Sequence, residues 1–330
     1  PDTLYHGTKE IISPFMPIPP REIFTDVLMR PSLLKGNDIN VVHMPSPTTF
    51  GNSLFLTHGF KKVLTVHDLY RFFPQFRAKI YPHPIEWLDH LLWKPSLLAI
   101  RNKVDKYIAD SSNTKKDLTR FLKVPENKVK VIHLAPDEKF KQADYDIPDY
   151  IGSPFILSND IHSDLIRVYQ ELKKRGIENK LAIFGGNRRI NRYYENTLQR
   201  LIKELNLQKD IMFLGYVSDD ELIKLYNTAD LFIRPAWYEG FGLPPLEAMA
   251  CGCPVIASNV ASLPEVVEDA GILVDIHNVD GWVEAIYKVL TNERLRERMI
   301  ENGLEHAKKF SWKKTAEETI RVYEEVYNSS

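Results

Sequence analysis

The sequence predicts an α/β protein with two doubly wound domains, each built on a parallel sheet. Short apolar runs alternate with amphipathic helical patterns along most of the chain, and such strand–helix–strand repeats form parallel sheets through right-handed crossovers. The length of 330 residues is about twice that of a common domain. The alternation stops at a polar segment with three prolines, residues 135–154, which indicates a linker between two domains.

The predicted strands are continuous apolar runs rich in valine, isoleucine and leucine, the pattern of parallel strands covered on both faces. They are "NVVHM" (40–44), "KVLTVHD" (62–68), "KYIADS" (106–111), "KVKVIHL" (128–134), "PFILS" (154–158), "KLAIFGG" (180–186), "IMFLGY" (211–216), "DLFIRP" (230–235), "PVIAS" (254–258) and "GILVD" (271–275). Amphipathic helices are predicted between many of them, for example over 196–207 and 218–229.

The domain limits follow from this pattern. We expect an N-terminal Rossmann-like domain over residues 1–137, a linker over 138–153 and a C-terminal Rossmann-like domain over 154–310. The N-terminal domain is expected to be shortened, because residues 1–39 contain no clear strand–glycine–helix unit. The C-terminal domain is expected to be complete.

Composition excludes several classes of protein. The chain is 44% hydrophobic and 26% charged, as soluble globular proteins are, and a net charge of −1 argues against a general nucleic-acid binder. Cys251 and Cys253 are separated by one residue, a spacing that suits neither an ordinary disulfide nor a zinc site. We therefore expect the protein to be located in the reducing cytoplasm. We expect no signal peptide, and the sequence has no apolar run of about 18 residues. Because the chain opens on Pro1, we expect that preceding residues were removed or are not represented.

The segment "EGFGLPPLE" (239–247) places Glu239 and Glu247 on either side of a glycine turn and a proline pair. The turn follows the predicted strand "DLFIRP", and a helix is expected to begin near Pro244 or Pro245, because proline is favoured in a first helical turn. Backbone N–H groups at such a bend, beside a helix N-terminus, suit a phosphate or a sugar hydroxyl. Glu247, one turn into the helix, could accept hydrogen bonds from a vicinal diol such as ribose. The simpler alternative is a surface turn with two solvated glutamates.

This segment, with its continuation "AMACGCPVIAS" (248–258) and "SLPEVVEDAGILVD" (262–275), resembles the retaining, nucleotide-sugar-dependent glycosyltransferases of the family-4 type. That family has the GT-B architecture, in which two Rossmann-like domains face a cleft. The resemblance covers nearly the whole second domain. It is weaker in the first, where it rests on "VLTVHDL" (63–69) and on residues 108–137. The terminal segment 310–327 is similar to the family's last helix, so residues 311–330 are expected to pack back on the first domain.

The resemblance implies the transfer of a hexose, of the mannose or glucose type, from a nucleoside-diphosphate sugar to a hydroxyl of a glycan or lipid-linked acceptor. It implies no metal and no cofactor besides the donor, and it points to polysaccharide biosynthesis. It implies catalytic roles for Glu239, which would contact the donor sugar, and for His67 at the end of a strand. The alternative for His67 is a purely structural role, as a histidine that ends a buried strand. Asp68 is expected to cap the turn that follows. The donor-binding residues that it implies are Glu247 for the ribose, Gly240, Phe241, Gly242 and Leu243 for sugar hydroxyls or the distal phosphate, and Gly215, Tyr216 and Val217 for the base.

One departure from the family concerns the diphosphate. The family carries basic residues just after the first strand of the second domain, whereas "ILSNDIHSDLIRVYQ" (156–170) has no arginine or lysine before Arg167. Three explanations stay open: residues are absent between Ser158 and Asp160, Arg188 or Arg189 supplies the charge, or the site is catalytically weakened. The last of these would make the chain a non-catalytic nucleotide-sugar-binding or partner subunit.

Other patterns carry less weight. "DYD" (144–146) has the form of a metal-binding aspartate pair but lies in the predicted linker, so we interpret it as solvated. Residues 83–103 have aromatic and leucine residues at helical spacing with basic flanks, which favours core packing but also allows peripheral membrane contact through the N-terminal domain. Residues 71–82 are a candidate acceptor loop. A nicotinamide oxidoreductase is disfavoured because no strand is followed by G-x-G-x-x-G, and no context for the cofactor lysine of a sugar phosphorylase is present.

Overall fold

The computed structural model describes residues 39–47, 59–73, 93–185 and 192–329, without the side chains of residues 192–195. It contains a four-stranded and a six-stranded sheet in which every pairing is parallel. Each strand predicted from an apolar run is present. The prediction of an α/β fold with parallel sheets is therefore confirmed.

The first sheet has the order β1-β2-β3-β4. Its strands are β1 (Val41–Met44), β2 (Lys61–Val66), β3 (Lys106–Ala109) and β4 (Val129–Val131). Single 3₁₀ turns occupy Tyr70–Phe72 and Glu126–Lys128, and residues 93–100 are helical. Helix α1 (Ser112–Leu122) connects β3 to β4 and is capped by the Ser111 hydroxyl, which accepts from the Thr114 N–H.

The second sheet has the order β10-β9-β8-β5-β6-β7, the doubly wound arrangement of dinucleotide-binding folds. Its strands are β5 (Phe155–Ser158), β6 (Lys180–Phe184), β7 (Ile211–Gly215), β8 (Leu231–Arg234), β9 (Val255–Ser258) and β10 (Ile272–Val274). The central strands β5, β8 and β9 are buried over nearly their whole length, which explains their continuous apolar sequence.

Helices cover both faces of the second sheet, and two separate clusters of buried side chains result. The helices are α2 (Ser163–Lys174), α3 (Arg192–Glu204), α4 (Asp219–Thr228), α5 (Leu243–Ala250), α6 (Leu263–Val267), α7 (Val279–Thr291) and α8 (Glu293–Ala307). Side-chain caps at Ser218, Asn278 and Asn292 begin α4, α7 and α8 by accepting from backbone N–H groups of the first turn.

The four-stranded sheet with its helices forms the first lobe, and the six-stranded sheet with its helices forms the second lobe. The last helix, α9 (Trp312–Asn328), leaves the second lobe and packs on the sheet of the first lobe. Val322 and Val326 lie in one buried cluster with Val63 of β2 and Ile108 of β3. The chain therefore crosses twice between the two sheets.

Several predictions lie partly or wholly outside the described residues: the shortened N-terminal region, the loop 71–82 after Phe73, the membrane-facing alternative for 83–103 before Trp93, and Arg188 and Arg189. The domain limits stay a prediction. Residues 144–146 of the linker are exposed, and both cysteines, Cys251 and Cys253, are free and buried. In the ranges that the structure describes, no helix has both the length and the apolar character needed to span a bilayer.

Candidate active site

The topological switch point of the second sheet lies between β5 and β8, because the chain continues from β5 to one side and from β8 to the other. Open α/β sheets bind ligands in the crevice outside the carboxyl ends of their strands at this point. Ile233 pairs with Ser158 in the sheet, so Arg234 and Asn159 follow as neighbours at the crevice. The bend that contains Glu239 starts from the same edge.

Two buried serines fix the bend after β8. The Ser258 hydroxyl lies 2.6 Å from the Ala236 carbonyl, and the Ser262 hydroxyl lies 3.0 Å from the carbonyl of Glu239 and 2.5 Å from that of Phe241. With its carbonyl groups held in this way, the backbone turns at Gly242, whose φ of +121° lies in the region that favours glycine.

Helix α5 begins directly after this bend, at Leu243, with Pro244 and Pro245 in its first turn. This start is one or two residues earlier than predicted, because proline needs no hydrogen-bond partner for its missing N–H in a first turn. Gly242, at the N-cap position, offers no side-chain acceptor. The first turn of α5 therefore presents the positive end of its dipole without a side-chain cap, as an anion site requires.

Arg234 is the buried cation at the switch point, with a side chain 14% exposed. Its Nε and one terminal nitrogen donate to the same Glu239 oxygen, Oε2, at 2.9 and 2.6 Å. Its other terminal nitrogen donates to Asn159 at 2.9 Å and lies 3.8 Å from the Asp160 carboxylate. Burial opposes the charge on the guanidinium, but the two carboxylates outweigh it and raise the pKa of Arg234.

The two lobes touch where Gly240 meets the end of β2. A Cβ atom at Gly240 would lie 2.4 Å from the His67 carbonyl oxygen and 3.0 Å from the Asp68 Cβ, so only glycine fits there. The Gly240 carbonyl accepts from the Ser111 hydroxyl at 2.7 Å, and Thr114 of α1 donates to the His67 carbonyl at 3.1 Å. The bend of the second lobe and the β2 end of the first lobe therefore form one wall of the crevice.

His67 is held by a buried carboxylate. Its Nδ1 lies 2.5 Å from Asp110, whose side chain is 2% exposed, whereas the His67 side chain itself is 46% exposed. This hydrogen bond raises the pKa of His67 against the opposing effect of partial burial, and the Pro45 carbonyl acts in the same direction as Asp110. The His67 imidazole therefore holds a proton more readily than a free histidine does. Asp68 caps the turn, as expected, by accepting from the Tyr70 N–H at 3.2 Å.

Glu247 lies just over one turn into α5, beside the fully buried Tyr226 of α4. The Tyr226 hydroxyl lies 3.4 Å from the Glu247 carboxylate. Burial raises the pKa of Glu247 to about 7, although the hydrogen bond from Tyr226 acts in the opposite direction. A carboxyl group with this pKa changes charge near neutral pH, which marks it as a candidate functional group.

Gly215, Tyr216 and Val217 lie farther along the same edge, at the end of β7. Gly215 has a φ of +67°, and its carbonyl accepts from the Gly185 N–H at 2.8 Å. With about 5 Å between neighbouring strands, β7 lies roughly 15 Å from β8. Tyr216 is 88% exposed at this end. The three residues are therefore near the edge but apart from Arg234 and Glu239.

Further hydrogen bonds join the lobes. The Glu265 carboxylate of α6 accepts from the backbone N–H of Ser112 at 2.8 Å and pairs with His133 at 2.7 Å. Tyr238 donates to Asp117 of α1 at 2.8 Å. Partial burial acts to raise the pKa of Glu265, but the hydrogen bonds from His133 and Ser112 outweigh it and lower that pKa.

Comparisons with known proteins agree with this geometry. The family model for glycosyl transferases group 1 matches residues 158–306, and that for glycosyltransferase family 4 matches residues 3–139. Sucrose-phosphate synthase from Thermosynechococcus elongatus has a similar fold, with a TM-score of 0.74 and 20% identity over 94% of this chain and 78% of that chain. The chain belongs to the GT-B glycosyltransferases of the family-4 type. The resemblance seen in the sequence and the predicted GT-B fold are thus confirmed.

Two further proteins are similar to this chain, one in sequence over part of its length and one in fold. O-antigen chain mannosyltransferase B of Escherichia coli is 45% identical over 129 residues, which are 39% of this chain and 34% of that protein. The aligned part is thus about a third of that relative's length. HepE of Anabaena, crystallised with UDP and glucose, has a TM-score of 0.71 and 17% identity over 90% of this chain and 80% of that chain.

The structure brings some predicted residues of the GT-B site together and not others. His67, Glu239 and the bend from Gly240 to Leu243 meet at the switch point, and Glu247 follows on α5. The group Gly215–Val217 lies farther along the edge. Their roles in donor binding and catalysis stay predictions. Among the described residues, no group of three His, Cys, Asp or Glu side chains could hold a metal ion.

Two contacts were missed by the sequence reasoning. Arg234 is part of "DLFIRP", where a charged residue at the end of an apolar strand was the available signal. Asp110 similarly ends the apolar run "KYIAD". Both residues end strands at the crevice, where polar side chains of an α/β sheet commonly bind ligands.

Proposed function

We propose that the chain is a retaining glycosyltransferase that moves a hexose from a nucleoside-diphosphate sugar to a hydroxyl of a glycan or lipid-linked acceptor. The observation that carries the proposal is the contact of the bend Glu239–Gly242 with His67 at the switch point. It supports the proposal because this contact brings an uncapped helix N-terminus, the Glu239 carboxylate and the His67 imidazole together in one crevice.

The chemistry of the transfer fits these charges. When the bond between the sugar and the diphosphate breaks, negative charge grows on the leaving diphosphate and positive charge on the sugar ring. The first turn of α5 and the His67 imidazole, whose pKa is raised by the hydrogen bond to Asp110, suit the negative charge on the diphosphate. The Glu239 carboxylate suits the positive charge on the sugar ring. Arg234 donates only to its Oε2, and Oε1 accepts no hydrogen bond from any described residue. No bound metal is needed in this scheme.

The fold and the relatives support a choice of donor. Glu247 and Tyr226 would receive the ribose hydroxyls, and Gly215, Tyr216 and Val217 would line the base. Because the Escherichia coli relative is named as a mannosyltransferase, a mannosyl donor is the first choice, whereas the Anabaena protein of the same fold was crystallised with UDP and glucose. Polysaccharide biosynthesis, a cytoplasmic location and peripheral membrane contact belong to the same proposal.

The test is a thermal-shift panel of UDP-, GDP- and ADP-linked glucose and mannose. A donor that raises the melting temperature is then assayed for hydrolysis and transfer, and the anomeric configuration of the product is determined by NMR. An α-linked product from an α-linked donor is expected. A panel in which no nucleotide sugar stabilises the protein would contradict the proposal.

A non-catalytic subunit is the second candidate, and the basis for it is that no arginine or lysine lies between Ser158 and Arg167. It would bind a nucleotide sugar and show neither hydrolysis nor transfer in the same assay.

A further inference from the structure

The anionic part of the donor requires a cation that the loop after β5 does not supply. The residues that follow β5 include Asn159 and Asp160 but no arginine or lysine before Arg167. A diphosphate that departs into a crevice with no positive side chain would lack the strongest kind of hydrogen bond available to it. The structure contains a buried guanidinium beside this loop, contributed by the neighbouring strand.

We infer that Arg234 binds the diphosphate of the donor, so that β8 supplies the charge that the loop after β5 lacks. This inference rests on the proposed function and adds a donor-binding residue to it. Arg234 touches Asn159 of the β5 loop on one side and Glu239 of the bend on the other. Its guanidinium therefore lies at the switch point, between the two segments that a donor would contact.

The hydrogen bonds of Arg234 leave room for a ligand. A guanidinium has five N–H groups, and three of them donate to Glu239 and Asn159. The other two donate to no residue in the described parts of the chain. Because the Arg234 side chain is only 14% exposed, bulk water has little access to these two N–H groups. Two oxygens of a phosphate group would accept from them at the geometry that arginine offers to oxyanions.

The acidic neighbours of Arg234 do not prevent this role. Asp160 lies 3.8 Å from the guanidinium, beyond hydrogen-bond distance, so a phosphate could take its place without breaking a hydrogen bond. Glu239 binds the opposite part of the side chain through Nε and fixes the plane of the guanidinium.

The test compares nucleoside diphosphates with nucleosides by isothermal titration calorimetry, using UDP, GDP and ADP beside uridine, guanosine and adenosine. Arg234→Gln is expected to weaken binding of the diphosphate by roughly 10- to 100-fold, the loss of one or two charge-assisted hydrogen bonds. Nucleoside binding should be unchanged, and Arg234→Lys should recover part of the loss. The matched control is Arg175→Gln, because Arg175 pairs with Glu284 on the surface away from the crevice.

The outcomes distinguish two roles of Arg234, which either binds the diphosphate or only links Asn159 to Glu239. If Arg234→Gln keeps the wild-type ratio of diphosphate to nucleoside affinity, Arg234 only ties Asn159 to Glu239 and the inference is wrong. Failure of the proposed function differs, because the wild-type protein would then bind none of the three diphosphates.

A second variant covers the case in which Arg234→Gln does not fold. Asp160→Asn keeps Arg234 and removes a competing negative charge, so diphosphate affinity should rise a few-fold while nucleoside affinity stays constant. An unchanged diphosphate affinity in Asp160→Asn would overturn the inference as well.

Discussion

The structure predicts how the charge state of Glu247 changes the free energy of unfolding with pH, in both size and sign. The pKa of this carboxyl group rises from an ordinary 4.5 to about 7 because of burial. Since a tenfold change in proton affinity corresponds to 1.36 kcal/mol, the folded protein favours the protonated form by about 3 kcal/mol relative to the unfolded chain. The glutamate therefore lowers the free energy of unfolding whenever it is ionised.

The sign of the pH dependence follows directly. At pH 4 and below, the carboxyl group is protonated in both states and costs nothing. Between pH 4.5 and about 7, Glu247 loses its proton in the unfolded chain but keeps it in the folded protein. The free energy of unfolding therefore falls progressively as the pH rises through this range. Above pH 7 the loss is complete. Glu247→Gln removes this dependence, and we expect the variant to gain up to about 3 kcal/mol on the wild type between pH 4.5 and pH 8.

The assay is urea unfolding of the wild type and Glu247→Gln at pH 4.5 and pH 8, with Glu297→Gln as the control because Glu297 is exposed on α8. Only the difference between the proteins is used, so titration of other groups cancels. A difference that is the same at both pH values would refute the reasoning about burial. In the wild type, donor affinity should also rise about tenfold between pH 6 and pH 8, because only about a tenth of Glu247 is ionised at pH 6.

Three other variants test the wall of the crevice. Asp110→Asn should lower the pKa of His67, because the hydrogen bond that raises it is weakened, and an NMR titration of the imidazole would show it; an unchanged pKa would contradict the role of Asp110. Gly240→Ala should force the lobes apart, since its Cβ would lie 2.4 Å from the His67 carbonyl. Its small-angle scattering should show a larger radius of gyration, and wild-type scattering would count against the contact. Glu239→Gln should slow turnover by at least about tenfold with little change in donor affinity; equal turnover would remove Glu239 from the site.

The strands were predictable because burial on both faces leaves a continuous apolar run that needs no partner to be recognised. Residues 230–235 and 254–258 were both assigned to strands in this way, and β8 and β9 lie within them. The start of α5 was predicted to within two residues, because its prolines fit only a first turn.

The contacts across the crevice could not be predicted in the same way. Arg234 reaches Asn159 only because Ile233 pairs with Ser158, a register that no local pattern specifies. His67 and Asp110 are 43 residues apart in sequence, and they meet because β2 and β3 are neighbours. Such pairs depend on how strands are ordered in a sheet, which sequence periodicity leaves open.

A crystal structure with a bound nucleoside-diphosphate sugar tests the central claim most directly. We expect the two phosphates at the carboxyl ends of β5 and β8, within hydrogen-bond distance of Arg234 and of the main chain of the bend 241–243, with the ribose on Glu247. Phosphates bound at any other edge of the two sheets, with the Arg234 side chain still turned only to Glu239 and Asn159, would contradict the account.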